Sequence, residues 1–245
     1  MREHDIPGAF ATPVDRPAYP PAGYRFTDRE YLNITYRTDL DALRRLVPEP
    51  LTVKEPLVRF EVMRMPDVSG LGSYSESGQL IEVEHEGERG EFSLAMYVDS
   101  VPAISSGREL SAYPKKGGSP RLHVDGDTLV GTLDYGTVRV ATATMGYKHV
   151  PLAAEEARAE LTLPTYMVKL VPGYDARPRI CELARTRITD ITVKSAFRGP
   201  ARLQLFAHAL APLADLPVHE VVSASHILTD LSLGQGEAVH DYLAG

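Results

Sequence analysis

Two adjacent lysines, Lys115 and Lys116, follow Pro114 and precede Gly117 and Gly118. Small and apolar residues dominate the approach, Leu110-Ser111-Ala112-Tyr113. The plainest reading of such a pair is a solvated basic turn. The chemical reading is a nucleophile that forms a Schiff base with a carbonyl compound. A lysine becomes nucleophilic when it is desolvated or set beside another cation, since either disfavours the ammonium and frees the lone pair. An ordinary lysine, with a pKa of about 10.4, is a free amine only roughly once in 2,500 molecules at pH 7. Burial and the charge of Lys116 could both activate Lys115. In an extended segment, however, successive side chains point to opposite faces. Lys116 would then aim away, leaving burial as the larger cause and Lys116 as a supporting residue.

The surrounding sequence narrows the choice. Residues 106–116, Ser-Gly-Arg-Glu-Leu-Ser-Ala-Tyr-Pro-Lys-Lys, resemble the active-site segment of the acetoacetate decarboxylase family. The same resemblance runs through Arg29-Glu30-Tyr31, Tyr36-Arg37-Thr38-Asp39, Val47–Leu51 and Glu55–Glu61. It continues through Ser69–Gly72, Glu76–Gln79, Asp127–Gly136, Ala141–Lys148 and Arg179–Leu183, and ends with Gly199-Pro200, Arg202–Phe206 and Ser225–Leu228. Only the first ten or so residues lie outside it.

The resemblance implies decarboxylation of acetoacetate to acetone and carbon dioxide. A β-keto acid loses carbon dioxide readily when the electrons left behind have a sink. A protonated imine is a better sink than a ketone oxygen, and a lysine amine makes one without an added cofactor. By resemblance, Lys115 is that lysine, Glu76 and Glu61 are the family's carboxylates, and Arg29 is its arginine. Glu76, between Ser75 and Ser77, reads as part of a polar turn and could shuttle protons. Glu61, on an expected strand, needs a partner if it faces inward, and Arg29 is the natural one. Tight binding of the scissile carboxylate by Arg29 would stabilise the ground state more than the transition state, so positioning of the glutamates suits it better. Tyr113, Phe26 and Met96 are expected to line the substrate pocket. The rival readings are another Schiff-base lyase on the same fold, of aldolase–dehydratase type acting on a larger keto acid, and a non-catalytic barrel for small apolar ligands.

Composition limits the alternatives. The chain has 245 residues, 43% of them hydrophobic, a net charge of −7 and one cysteine, Cys181. That is enough for a substantial core and excludes an internal disulfide framework. Basic residues are scattered, which argues against nucleic acid. An anionic substrate must therefore be drawn in by local positive charge. The eight histidines are dispersed without His-x-x-x-His or Cys-x-x-Cys spacing, so no metal site is expected. No apolar run of about 18 residues occurs, and Met1–Asp5 lacks the apolar stretch of a signal peptide. The expectation is a soluble cytoplasmic enzyme with no cofactor and no membrane or nucleic-acid partner, assembled by family resemblance as a large homo-oligomer.

The elements that must position these residues are mostly strands, all within one expected domain, 1–245. Residues 1–28, with five prolines, read as an extended arm. Alternation predicts a strand through Tyr31–Tyr36, then a helix capped by Thr38 or Asp39 and stopped by Pro48. Leu57–Met65 reads as the next strand. Gln79–His85 and Glu91–Val98 form a hairpin, with Phe92, Leu94, Met96 and Val98 sharing one face. Thr128–Leu133 and Thr137–Met145 form a second hairpin, through Asp134-Tyr135-Gly136. Ala153–Leu161 is helical, and further strands span Tyr166–Val171, Ile180–Arg187, Ile188–Lys194, Ala201–Ala207 and Val218–Leu231. Glu237–Leu243 reads as a last helical turn. Together these predict a mainly β (β-rich α+β) fold, an antiparallel sheet curved into a barrel or cone with a few short outer helices.

Overall fold

A computed structural model describes residues 1–21 and 23–244. In chain order its regular elements begin with β1 (Tyr24–Arg37), α1 (Leu40–Leu46), β2 (Leu57–Val68), β3 (Gly72–His85), β4 (Glu88–Val98) and α2 (Val101–Glu109). They continue with β5 (Lys115–Gly117), β6 (Ser119–Asp125), β7 (Thr128–Tyr135), β8 (Val138–Gly146), β9 (Val150–Pro151) and α3 (Ala154–Leu161). The last are β10 (Thr165–Pro172), β11 (Pro178–Thr186), β12 (Ile188–Arg198), β13 (Ala201–Leu205), β14 (Glu220–Leu233) and β15 (Glu237–Asp241).

Eleven strands make the large sheet, in the order β15-β11-β10-β4-β3-β2-β1-β14-β12-β9, with β5 added alongside β4. A second sheet has the order β13-β8-β7-β6. Neither sheet closes among the described residues, so the expected barrel or cone is replaced by open layers. The reason lies in the central strands, which are buried on both faces and so need cover on both. The second sheet supplies it on one face, through a core of Leu32, Ile34, Val58, Phe60 and Val62 against Leu129, Leu133, Ala141 and Ala143. Helices α2 and α3 supply it on the other, where Ala103, Ala157 and Leu161 meet Phe26, Met63, Met96 and Ile227.

The β3–β4 hairpin turns at Glu86 and Gly87, both with positive φ (51° and 84°), the geometry that suits the twist of a two-residue hairpin. Within it, Gln79 pairs with Ala95 but Leu80 pairs with Ser93, so β4 carries a bulge at Leu94. The bulge breaks the expected common face. Phe92 and Leu94 join the core under the second sheet, whereas Met96 and Val98 face the helices. Three other readings also change. β1 starts at Tyr24, inside the stretch read as an arm, and residues Glu3–Gly8 form a 3-10 helix. Glu237–Asp241 is a strand rather than a helical turn, because it pairs with β11 and Arg185 holds Glu237. Helix α2 falls in a stretch to which the sequence pattern assigned no element; it is capped by Ser100, whose hydroxyl accepts from the Ala103 N–H.

Candidate active site

Each functional side chain is aimed by strand alternation, corrected by bulges. On β2, Val58, Phe60 and Val62 enter the core under the second sheet, while Arg59 and Glu61 point to the helix-covered face. On β3, Tyr74 and Glu76 point the same way. Glu76 thus lies within a strand paired on both sides, opposite Met63 and Val98, rather than in the expected turn. The polar Ser75–Gln79 run has no turn to make; its side chains line a cavity or bond inward, as Ser77 Oγ does to the Glu61 carbonyl at 2.8 Å. On β1, Phe26 pairs with Leu231 and Arg29 with Thr229, which leaves one extra residue near Asp28 (φ 56°). That bulge flips the parity, so Phe26 and Arg29 share the cavity face.

Lys115 arrives by a different route. The chain leaves α2 through Ala112 at φ 68°, a left-handed conformation that strains a residue with a Cβ. Tight backbone bonds hold it there: Tyr113 N–H to Gly107 O at 2.9 Å and Lys115 N–H to Tyr113 O at 2.8 Å. β5 then runs parallel to β4, with Lys115 beside Met96 and Lys116 beside Tyr97. The Lys115 stem passes directly over Gly107, where a Cβ would stand 2.5 Å from its Cδ. Only a glycine leaves the helix surface bare enough for the lysine to lie against it.

These elements enclose a cavity of about 60 Å³, space for roughly four to six waters at ~10–15 Å³ each. Lys115, Glu76, Glu61, Arg29, Tyr113, Phe26 and Met96 all line it. Lys116 does not. Alternation along β5 sends it to the opposite face, where its ammonium donates to the Leu210 carbonyl at 2.5 Å and lies 5.4 Å from the Tyr135 ring centre. The Lys115 ammonium makes an ion pair with Glu76 Oε1. It sits 5.5 Å and 5.6 Å from the ring centres of Tyr113 and Tyr74. Both groups of the pair are buried.

Arg29 lies between two rings, 4.8 Å from Phe26 and 4.7 Å from Tyr31, and donates from Nη2 to the Met63 sulfur at 2.8 Å. Its Nε has no hydrogen-bond partner among the described residues. Burial works against its charge, but Tyr31, Glu76, Tyr74 and Glu61 outweigh that and hold the guanidinium above its usual pKa. The expected Arg29–Glu61 pair is not formed. Glu61 instead stands 3.8 Å from Arg59, which also makes an ion pair with Glu91 and donates to the Glu160 carbonyl at 3.1 Å. Arg59 is two residues from Glu61, so the same strand delivers both to the same face and the nearer cation takes the carboxylate. Burial raises the Glu61 carboxyl against the opposing pull of Arg59 and Arg29. The same cause pushes Glu91 up to about 7. Burial also raises the phenols of Tyr31, Tyr74 and Tyr113, which stay neutral donors.

Arg59, Glu91, Ser93, Tyr31 and Tyr74 also line the cavity and were not anticipated. A signal existed. Arg59-x-Glu61, Tyr74-x-Glu76 and Glu91-x-Ser93 are each polar or aromatic residues at strand spacing, the first of them within a largely apolar strand.

Comparison with known proteins shows the family. The family model of acetoacetate decarboxylase (ADC) matches residues 9–243. The chain belongs to the acetoacetate decarboxylase family. It is 70% identical over the full length of both chains to an acetoacetate decarboxylase of Streptomyces nogalater. It is 61% identical to one of Clostridium beijerinckii, covering 100% of this chain and 99% of that one. A solved structure of an acetoacetate decarboxylase superimposes with a TM-score of 0.97 at 59% identity, covering 99% of this chain and 100% of that one.

Proposed function

We propose that the chain decarboxylates acetoacetate through a Schiff base on Lys115. The observation that carries this reading is the buried Lys115 amine held against Glu76 in a cavity that also presents Tyr74, Tyr113 and Arg29. Lys115 must shed a proton to attack the ketone, and Glu76 is in place to accept it. After water is lost, the iminium takes the electrons of the breaking C–C bond and carbon dioxide leaves. Glu76 is also placed to return a proton to the enamine carbon, and hydrolysis then frees acetone and Lys115.

Arg29 supplies the local positive charge that draws an anion into a protein with a net charge of −7. The neighbouring Glu61 and Glu76 offset it, so the carboxylate is admitted without being held too firmly to leave. Lys116 serves indirectly, tying β5 to the Leu210 carbonyl. Acetoacetate is a small substrate, in keeping with a small cavity of about 60 Å³. We read the whole chain as one catalytic domain, working in the cytoplasm as a homo-oligomer. Exposed Val101, Leu170, Tyr174 and Leu210 are surfaces such an assembly would cover.

The test is direct. The purified protein mixed with acetoacetate should release carbon dioxide and acetone in equal amounts, and Lys115→Met should release neither above the uncatalysed rate. Catalysis retained in Lys115→Met, or no catalysis in the native protein, would overturn the proposal.

A further inference from the structure

Decarboxylation of acetoacetate consumes one proton: the anion and a proton become acetone and carbon dioxide. The proton ends on the carbon that carried the carboxylate. Glu76 can deliver it once, but must then be recharged from solvent. Among the described residues, the bases that line this cavity are Lys115, Arg29 and Arg59 and the carboxyls are Glu61, Glu76 and Glu91, three of each. The substrate adds one negative charge, and only proton uptake removes it.

One wall offers a path. A second, larger cavity of about 360 Å³ lies behind the first and shares Arg59, Leu80, Glu91 and Leu163 with it. Its rim includes the exposed residues Arg89, Ala159 and Ser223. Of the residues common to both cavities, Glu91 has the only carboxyl. Two positions along the same strand, the Ser93 hydroxyl is buried, lines the inner cavity and has no hydrogen-bond partner among the described residues.

We propose that Glu91 is the group through which the reaction cavity takes up the proton consumed in each turnover, from the outer cavity and by way of Ser93 and cavity water. Each transfer breaks and forms only O–H bonds: outer water protonates Glu91, Glu91 passes the proton inward, and Glu76 is recharged. A carboxyl raised to about 7 is half loaded near neutral pH. The groups facing Glu91 are Arg59 and Glu61 from β2, Glu82 from β3 and Glu160 from α3. Arg59 keeps its proton throughout and serves to hold Glu91 in place.

This inference rests on the Schiff-base reading, and the experiment separates the two. Glu91→Gln is assayed for steady-state turnover and for the rate at which borohydride with acetoacetate traps an adduct on Lys115. Trapping should stay within about twofold of the native rate while turnover falls roughly 10–100-fold. Added small weak acids, such as acetic acid or imidazolium, should restore turnover in proportion to their concentration. Native turnover should be insensitive to them. Unchanged turnover, or a loss that trapping shares in full and small acids do not relieve, would overturn the proposal. Ala159→Phe is the second variant, because it fills the outer cavity from an exposed helix position and leaves the Arg59–Glu91 pair intact. It should slow turnover several-fold with normal trapping, and native turnover in it would also overturn the proposal. If no adduct forms on Lys115 even in the native protein, it is the Schiff-base reading that fails.

Discussion

The two faces of the central sheet are built from the same strands and serve opposite ends. On β2, residues Val58, Phe60 and Val62 face the second sheet and are fully buried among apolar neighbours. The intervening Arg59 and Glu61 face the helices and are buried almost as deeply, yet they are a base and an acid. The apolar face contributes stability through area removed from water. The other face keeps ionised groups out of water, which disfavours folding unless they pair. Its acids and bases are consequently held in states they would not keep at the surface, as Glu91 and Glu61 show. One strand period separates the part of the molecule that is stable from the part that is reactive.

The sharpest way to break this contrast is at Glu76. Glu76→Gln keeps the size of the side chain and removes its proton chemistry, so turnover should fall roughly 100- to 10,000-fold with a circular dichroism spectrum unchanged from native. Native turnover would make Glu76 a structural acid. The opposite face should behave in reverse. Phe60→Ala opens a hole in the core and should cost about 3–5 kcal/mol in denaturant unfolding, while turnover per folded molecule holds. A loss of turnover matching that of Glu76→Gln would mean the faces are not separable.

A third measurement uses pH. Glu91 is pushed up to about 7 in the folded protein and sits near 4.3 in an unfolded chain. Between those values the folded protein holds a proton that the unfolded chain lacks, so stability declines as pH climbs through the window. Glu91→Gln removes that slope. Relative to native, its stability should rise between pH 5 and pH 8 by on the order of 3 kcal/mol. No pH dependence in the difference would mean that Arg59 already offsets the burial of Glu91 in full. The smallest effect is expected at Gly107. Gly107→Ala presses a Cβ onto the Lys115 stem and should cost about 1–3 kcal/mol. A misplacement of this kind can lower turnover ~100-fold, so its activity loss should exceed what its stability loss alone explains.

Much of the site was readable because it depends on local period. That Lys115 and Lys116 part company follows from strand alternation, and the structure sends them to opposite faces. What alternation alone misses is a change of parity. The bulges near Asp28 and at Leu94 bring Phe26 beside Arg29 and split Phe92 from Met96, and neither site carries a glycine or proline to mark it. Helix α2 stayed hidden because it is short, carries a proline near its start and a glycine near its end, and buries only Ala103, Ser106 and Gly107. The expected partnership of Arg29 with Glu61 failed for a related reason. Glu61 lies opposite Asn33, four residues along β1 from Arg29, whereas Arg59 is only two residues away on the strand of Glu61 itself. The open layered arrangement depends on which sheet covers which, and no local pattern encodes that.

The pairing of Lys115 with Glu76 also changes one expectation about stability. On burial alone, Lys115→Met would relieve a desolvated cation and stabilise the fold at neutral pH. With Glu76 left unpaired, that gain is opposed by a stranded carboxylate.

The covalent role of Lys115 is the central claim, and borohydride trapping tests it most directly. Native protein treated with borohydride and acetoacetate together should lose activity permanently and gain one reduced adduct per chain, mapped to Lys115 by peptide sequencing. Borohydride alone should leave activity intact. An adduct on Lys116 or Lys148 instead, or full activity after treatment, would contradict it.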